Sequence, residues 1–463
     1  MYNDFNAIAE VRYSPQALVG KGSYGSVFLA KDSRTNQNVA MKYLPNLGDD
    51  YEISKDVLRE LHLLHLLRHK NITSLHSLNM CDNRLYIIME YCEYNLLMIL
   101  ENMSLKKLLL KTNSDYLFIF YQILRATEFI HSAGVLHRDI KPGNILLDSK
   151  LNVKLCDFGL SKFVGTSDEI IPEENATLTE YMVTRWYRAP EVFLNPGRYG
   201  KPIDIWSIAC TMLELITNCP IFPGNTAADQ LRIIVATLGT PTHRDMEFDM
   251  IPITKNYLCK LSGDDRLGVS MDIMLIKATK IHPLMMELFT QMLKFNPYHR
   301  ITAENALKLQ LFDDYHNNNE IHSISKSSIS WNQYNTCLNN MKACQTCNER
   351  LVIIHKEVQY ILNEIQGNQI ETVTETQTEI DNIHSTNRTS GQHVLSAIRK
   401  KISPSNHLSK VFILSESYSQ EHDSVTDFNE TVIPKMKNYE RMNERKEGHE
   451  ESQKKRQKGC KSA

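Results

Sequence analysis

A chain of 463 residues, 42% of them hydrophobic, is long enough to bury one large two-lobed core and leave a further segment over. With 52 basic and 54 acidic residues the formal net charge is −2, which excludes a general basic footprint for nucleic acid; any basic patch must be local. The most apolar stretch, Ile203 to Ile216, is broken by Asp204 and Glu214, so it falls short of the roughly 20 apolar residues of a membrane span and reads as a buried helix.

Met1 to Glu10 carries Asp4 and Glu10 but no basic flank and no apolar run, unlike a secretory leader, so a cytoplasmic location is expected. The ten cysteines are scattered, and only Cys344 and Cys347 stand at metal-like spacing, without a second pair; reduced thiols are the expected state.

Three textures follow one another along the chain. Residues 13–91 are β-rich, and residues 92–315 are helical in pattern, punctuated by Asn195-Pro196-Gly197 and Pro223-Gly224-Asn225. From His316 to the end, residues 316–463, the chain is rich in Asn, Ser, Thr, Gln and charge, too poor in large apolar residues for a core of its own, and a largely disordered tail is expected. Within it Cys344, Cys347, Leu351, Ile354, Val358, Ile361 and Ile365 recur by threes and fours, which predicts an amphipathic helix over 337–366 that packs on the preceding domain or binds a partner. No repeat at solenoid periods is visible.

In chain order the first chemical signal is Val19-Gly20-Lys21-Gly22-Ser23-Tyr24-Gly25-Ser26-Val27, whose glycines would let a hairpin backbone approach phosphates. The same spacing fits a dinucleotide-binding turn or an ordinary hairpin. Val39-Ala40-Met41-Lys42 follows at the distance of a third strand, where an ammonium could grip nucleotide phosphates. From Asp56 the apolar positions Val57, Leu61, Leu64 and Leu67 form a helical stripe with Glu60 beside it, within reach of Lys42.

His137-Arg138-Asp139-Ile140-Lys141-Pro142-Gly143-Asn144 and then Asp157-Phe158-Gly159 place each oxygen and amide at the spacing phosphoryl transfer needs. With the glycine loop and Lys42 they resemble, in order, the signature of the protein kinases, over roughly two thirds of the chain. That resemblance implies an α+β bilobal fold: a kinase domain over 13–315, with a small β-rich lobe (13–91) and a larger helical lobe (92–315). It implies ATP and Mg2+ as cofactors, Asp139 as acceptor of the substrate proton, Lys141 facing the γ-phosphate, and Asn144 and Asp157 as magnesium ligands. His137 and Phe158 are expected to pack beneath the site. After the apolar strand Leu85-Tyr86-Ile87-Ile88, Met89 would be the gatekeeper, with backbone groups of Glu90 and Cys92 recognising adenine.

The segment Thr179-Glu180-Tyr181-Met182-Val183-Thr184-Arg185-Trp186-Tyr187-Arg188-Ala189-Pro190-Glu191 resembles the activation segment of a mitogen-activated protein (MAP) kinase. The resemblance implies phosphorylation of Thr179 and Tyr181 by an upstream dual-specificity kinase, reversal by phosphatases, and substrates with proline after the Ser/Thr acceptor. Arg138 and Arg59 would meet phospho-Thr179, and Arg185 and Arg188 phospho-Tyr181. Lys162 stands where many relatives carry arginine, so its grip should be weaker. Glu191 and Arg300 should form a buried anchoring pair. Glutamate inside the Thr-Glu-Tyr triplet points to the extracellular-signal-regulated and fungal cell-integrity types, and Gly143 leans toward the latter.

The rivals are a cyclin-dependent-like kinase, which lacks the partnered Tyr181, and a pseudokinase scaffold, against which Lys42, Asp139, Asn144 and Asp157 all speak. The acidic docking cluster keeps Asp313, Asp314 and Glu320 but has Asn317 to Asn319 among them, so weak docking is expected; Asp168 to Glu174 is an acidic stretch that could tune activator choice. Lys454-Lys455-Arg456-Gln457-Lys458 reads either as a nuclear import patch or as a run of solvated terminal lysines. Neither direct nucleic-acid binding nor membrane association is expected.

Overall fold

A computed structural model of the chain describes residues 12–21, 25–81, 83–165, 185–262, 282–316 and 331–386. The amino-terminal lobe is one antiparallel sheet of β1 (Tyr13–Lys21), β2 (Ser26–Asp32), β3 (Asn38–Leu44), β4 (Leu75–Cys81) and β5 (Arg84–Glu90), in the order β1-β2-β3-β5-β4. Period-two alternation divides its residues between two faces. Tyr86 and Ile88 of β5 join Ala30, Val39 and Met41 in a small outer cluster, while Leu85 and Ile87 join Leu44 in the main core. Lys42 shares the parity of Leu44, so its side chain emerges on the core side of the sheet, toward helix α1 (Tyr51–Leu66).

Asp50 starts α1 by accepting a hydrogen bond from Ile53 N at 2.9 Å. The stripe Val57, Leu61 and Leu64 is buried as its spacing predicts, and Glu60 is buried with it.

The second lobe is built on the helices Asn113–Ser132 and Pro202–Thr217. Thr112 and Asp115 form a capping box that opens the first. The second is the apolar helix expected over 203–216, and Trp206 sits at its centre, stacked on Phe222 at 5.4 Å. Between the lobes lie short strands: Tyr94–Asn95, Ile145–Leu147 and Val153–Leu155 in one sheet, and Val135–Leu136 with Lys162–Phe163 in another. They fix the loops that carry His137 to Asn144 and Asp157.

In place of one amphipathic helix over 337–366 the structure has two, a first tail helix Asn332–Ala343 and a second Cys347–Thr386. The break is local chemistry. Glu349 accepts hydrogen bonds from Gln345 N and Thr346 N, and Thr346 Oγ1 accepts one from Glu349 N, a capping arrangement that starts a new helix there. Ile354, Val358 and Ile361 are fully buried in the main core, and Arg350 donates to the Gly48 carbonyl at 2.6 Å, so the pair lies along α1. The chain divides into compact units Met1–Glu375 and Thr376–Ala463, the second described only as helix, as far as Thr386.

Arg300 and Glu191 form a buried two-pronged pair at 2.5 and 2.6 Å, with the guanidinium 4.9 Å from the centre of the Trp206 ring. Changing Glu191→Ala strands a buried charge and should cost roughly 3–5 kcal/mol of stability. Urea unfolding measures it, and an unchanged midpoint would contradict this role.

Candidate active site

Lys42 is centred on β3, opposite Val27 and Ile87. Its Nζ meets both oxygens of Glu60 at 2.6 and 2.7 Å, and Asp157 Oδ1 lies 3.8 Å away. Burial by itself would depress the ammonium, but the charges of Glu60 and Asp157 overturn that and raise the Lys42 pKa, so it stays a cation. Around Asp157 burial works against ionisation, yet Lys42, then His137 and Lys141, hold the carboxyl below its ordinary range. Asp157 and Arg138 both adopt positive φ, +65° and +68°, in a region most side chains avoid.

That strained loop is buttressed from below. Asp204, fully buried at the start of its apolar helix, accepts from the backbone N–H groups of His137 and Arg138, both at 2.9 Å, and contacts His131 Nε2 at 2.8 Å. Sequence reasoning saw Asp204 only as an interruption; a carboxylate inside an apolar run was the signal available. Glu214, the other interruption, accepts from the Tyr187 hydroxyl at 2.6 Å. His137 packs 5.0 Å from the Phe158 ring, and both are fully buried.

Above the loop, Asp139 Oδ2 takes Lys141 Nζ and Asn144 Nδ2, each at 2.8 Å. Asn144 Nδ2 also reaches the Asp139 carbonyl at 2.9 Å, so the amide turns its oxygen away from Asp139. Burial pushes the Asp139 carboxyl up, and Lys141 opposes it.

Of the glycine loop, Val19, Gly20, Lys21, Gly25, Ser26 and Val27 are described; Gly22, Ser23 and Tyr24 lie outside the described residues. Gly25 needs its bareness for packing, since a Cβ there would stand 2.1 Å from the Tyr43 carbonyl of β3. At the far wall Met89, next to the last residue of β5, pairs with Ala40 and Leu75. Glu90 N donates to Ser74 O at 3.0 Å, so any hydrogen bond from Glu90 backbone to a base must use its carbonyl. Burial, then the charge of Glu90, pushes the Cys92 thiol up to about 12, an inert group beside that wall.

Thr179 and Tyr181 lie outside the described residues, as do Thr184, Asp168 to Glu174, Asn317 to Asn319, Glu320 and Lys454 to Lys458. Arg59 Nη1 donates to Gly159 O at 2.9 Å, and Arg138 Nε donates to Leu160 O at 2.5 Å, adjacent carbonyls just past Asp157. The tail, expected to pack on the preceding domain or bind a partner, enters this region. Trp331 stacks on Phe163 at 4.0 Å, and Tyr334 lies edge-on to His62 and interacts with Arg59. Trp331 and Tyr334, close together in a polar stretch of the tail, were the trace they left in the sequence.

The protein kinase domain model matches residues 13–312. The chain is similar to mitogen-activated protein kinase 6 of Arabidopsis thaliana, 38% identical over 68% of this chain and 77% of that protein. It is 36% identical to mitogen-activated protein kinase 3 of the same plant, over 69% and 84% of the two chains. To mitogen-activated protein kinase 1 of Oryza sativa subsp. japonica it is 37% identical, over 66% and 74%. This chain belongs to the MAP kinases. It is therefore a serine/threonine protein kinase, and the cleft between its lobes is where the cofactors its family uses, ATP and a divalent metal, are expected.

Asp139 supplies a pH test of this kinase. Lys141 stabilises the ionised carboxylate, so Lys141→Met should raise the Asp139 pKa and move the acid limb of the kcat/KM profile to higher pH. An acid limb that stays in place would mean that Asp139 is not the group titrating.

Proposed function

We propose that this kinase transfers the γ-phosphoryl group of ATP to Ser or Thr hydroxyls followed by proline, and that it is switched on by phosphorylation of both Thr179 and Tyr181. The observation that carries the reading is the grouping at Asp139: a buried carboxylate raised by burial, with Lys141 and Asn144 both 2.8 Å from one of its oxygens. Asp139 takes the proton of the attacking hydroxyl, and Lys141 stands beside it to face the transferring phosphoryl group.

The donors in the cleft fit Mg2+. Asp157 is a carboxylate held ionised, and Asn144 has its oxygen turned outward, two hard oxygen ligands of the kind that ion takes. When bound, the ion neutralises charge on the β and γ phosphates. Lys42, held by Glu60, contributes its cation to the α and β phosphates. Val19 to Val27, including Gly20, Lys21, Gly22, Ser23, Tyr24, Gly25 and Ser26, would hold the phosphates, and Met89 with the backbone of Glu90 and Cys92 would hold the adenine.

For regulation, an upstream dual-specificity MAP kinase kinase adds the two phosphates and phosphatases remove them. Each phosphate carries roughly −1.5 to −2 charge and needs guanidinium partners. Arg59 and Arg138, brought to neighbouring carbonyls, support the reading for phospho-Thr179; Arg185 and Arg188 are the partners proposed for phospho-Tyr181. The kinase acts in the cytoplasm, with the Lys454 to Lys458 run as a route to the nucleus. A scaffold without catalysis is disfavoured by the complete set of reacting residues.

Asp139→Ala should lower kcat by about 10²–10⁴ while leaving the protein folded, as read by a steady-state assay of the doubly phosphorylated enzyme. The same assay should phosphorylate a peptide with proline after the acceptor much faster than its alanine twin, because the pyrrolidine has no N–H to strand. Equal rates would sink the proline-directed part. Thr179→Ala and Tyr181→Phe should each abolish activation by the upstream kinase, and full activity in either variant would refute the double switch.

A further inference from the structure

Where α1 and the two tail helices meet, one residue from each converges on the same point. His62 Nε2, Cys337 Sγ and a Glu357 carboxylate oxygen all lie within 4.8 Å of one another. His62 and Cys337 are 2% and 4% exposed, and the Glu357 side chain is 12% exposed. None of the three takes part in the cleft between the lobes.

The contacts among them are incomplete as hydrogen bonding. His62 Nε2 comes within 3.2 Å of Glu357 Oε2 and interacts with that carboxylate, as Cys337 does, yet the His62 contact does not meet the geometry of a hydrogen bond, and Nε2 has no other partner. An unsatisfied buried nitrogen is costly enough that the arrangement calls for a further partner. Two ligands of one ion stand side by side instead of pointing at each other, which is the relation between this ring and this carboxylate. An ion bonded at about 2.0–2.3 Å holds its tetrahedral ligand atoms roughly 3.3–3.8 Å apart; His62 Nε2 and Glu357 Oε2, 3.2 Å apart, stand near that spacing, and the Cys337 sulfur lies within 4.8 Å of both.

We infer that His62, Cys337 and Glu357 bind a zinc ion that joins both tail helices to α1. An imidazole nitrogen, a thiolate sulfur and a carboxylate oxygen make a borderline-soft set that suits zinc; magnesium and calcium want oxygen throughout, and iron–sulfur clusters want more sulfur. Cys337 loses its thiol proton to solvent as the ion enters. The surroundings orient the ligands: Tyr334 lies edge-on to the His62 ring at 5.6 Å, and Gln333 Nε2 donates to Glu357 Oε2 at 3.3 Å. The Gln333 amide oxygen, brought round by a flip of that group, or a water completes the fourth position.

The position gives the ion its consequence. His62 lies on α1 two residues beyond Glu60, the partner of Lys42, so zinc would fasten the tail to the helix that completes the Lys42–Glu60 pair. Because the ligands come from three elements that meet only in the folded chain, binding free energy becomes folding free energy of this joint.

The test uses the full chain, stripped of metal with a chelator and titrated with Zn2+ alone against a competing metal indicator. One tight equivalent per chain is expected, with a zinc-dependent rise in the unfolding midpoint. Cys337→Ser and the near-isosteric Glu357→Gln should each weaken binding by about 100-fold or more, whereas Cys344→Ser with Cys347→Ser should leave it intact. Cobalt supplied in place of zinc should give a thiolate-to-metal charge-transfer band in the wild type that Cys337→Ser removes. Absence of tight binding, or binding and a cobalt band that persist in Cys337→Ser, would overturn the site; loss in the Cys344 and Cys347 double variant alone would move the metal to the tail's exposed cysteine pair and overturn it equally.

Discussion

The catalytic loop depends on one buried carboxylate. Arg138 sits at φ +68°, a conformation that costs a residue with a side chain roughly 1–2 kcal/mol, and nothing in the loop's own sequence favours it. Asp204 supplies the compensation by accepting from two successive backbone N–H groups, those of His137 and Arg138. Such charge-assisted bonds in a dry interior are among the stronger ones available, and burial makes them obligatory, since Asp204 without them would be an unsatisfied charge. Burial disfavours the Asp204 anion, but the hydrogen bond with His131, with other contributions, holds its carboxyl below the ordinary range. The loop that presents Asp139 is thereby bolted to the most deeply buried helix of the larger lobe.

A second chain of ties runs through α1. One side of this helix sends Glu60 to Lys42; the next residue back, Arg59, reaches the Gly159 carbonyl; His62 and His65 face the tail, where Tyr360 lies edge-on to His65 at 6.3 Å. A helix touching the sheet, the segment after Asp157 and the tail cannot shift without disturbing all three, because close-packed interfaces have few alternative arrangements. The tail aromatic Trp331 adds a further link by stacking on Phe163, so the chain beyond residue 330 bears on the same segment.

How much of this was legible follows from where each constraint is stored. Lys42, Asp139, Asn144 and Asp157 were readable because phosphoryl transfer demands particular atoms within short contiguous motifs, and the Val57–Leu61–Leu64 stripe because helical burial has its own period. Asp204 was misread as a blemish in an apolar run, since its partners lie more than sixty residues away and sequence spacing cannot express that distance. The tail's apolar seam was visible, but its break at Cys344 to Thr346 depended on a capping bond by Glu349, which the heptad-like pattern runs straight through. Trp331, Tyr334 and Cys337 carried no pattern of their own; the meaning of Tyr334 and Cys337 comes from α1, and that of Trp331 from Phe163, all far earlier in the chain.

The arrangement at Arg59 bears on how the proposed switch can work without unmaking the site. Asp56, 4% exposed, has its carboxyl pushed up by burial and held down chiefly by Arg59, so a phosphate that drew the guanidinium away would leave a buried acid unpaired. Yet the contacts to Asp56 at 2.6 Å and to Gly159 at 2.9 Å both use Nη1. A guanidinium offers five N–H donors in a fixed plane, so Nη2 and Nε can face Tyr334 and an incoming phosphate while Nη1 keeps its present partners. A lysine at this position, with one charged nitrogen, would have to choose between them. The arginine would therefore let the proposed phosphate be added to a preassembled helix and carbonyl, with the joint at α1 left as it was.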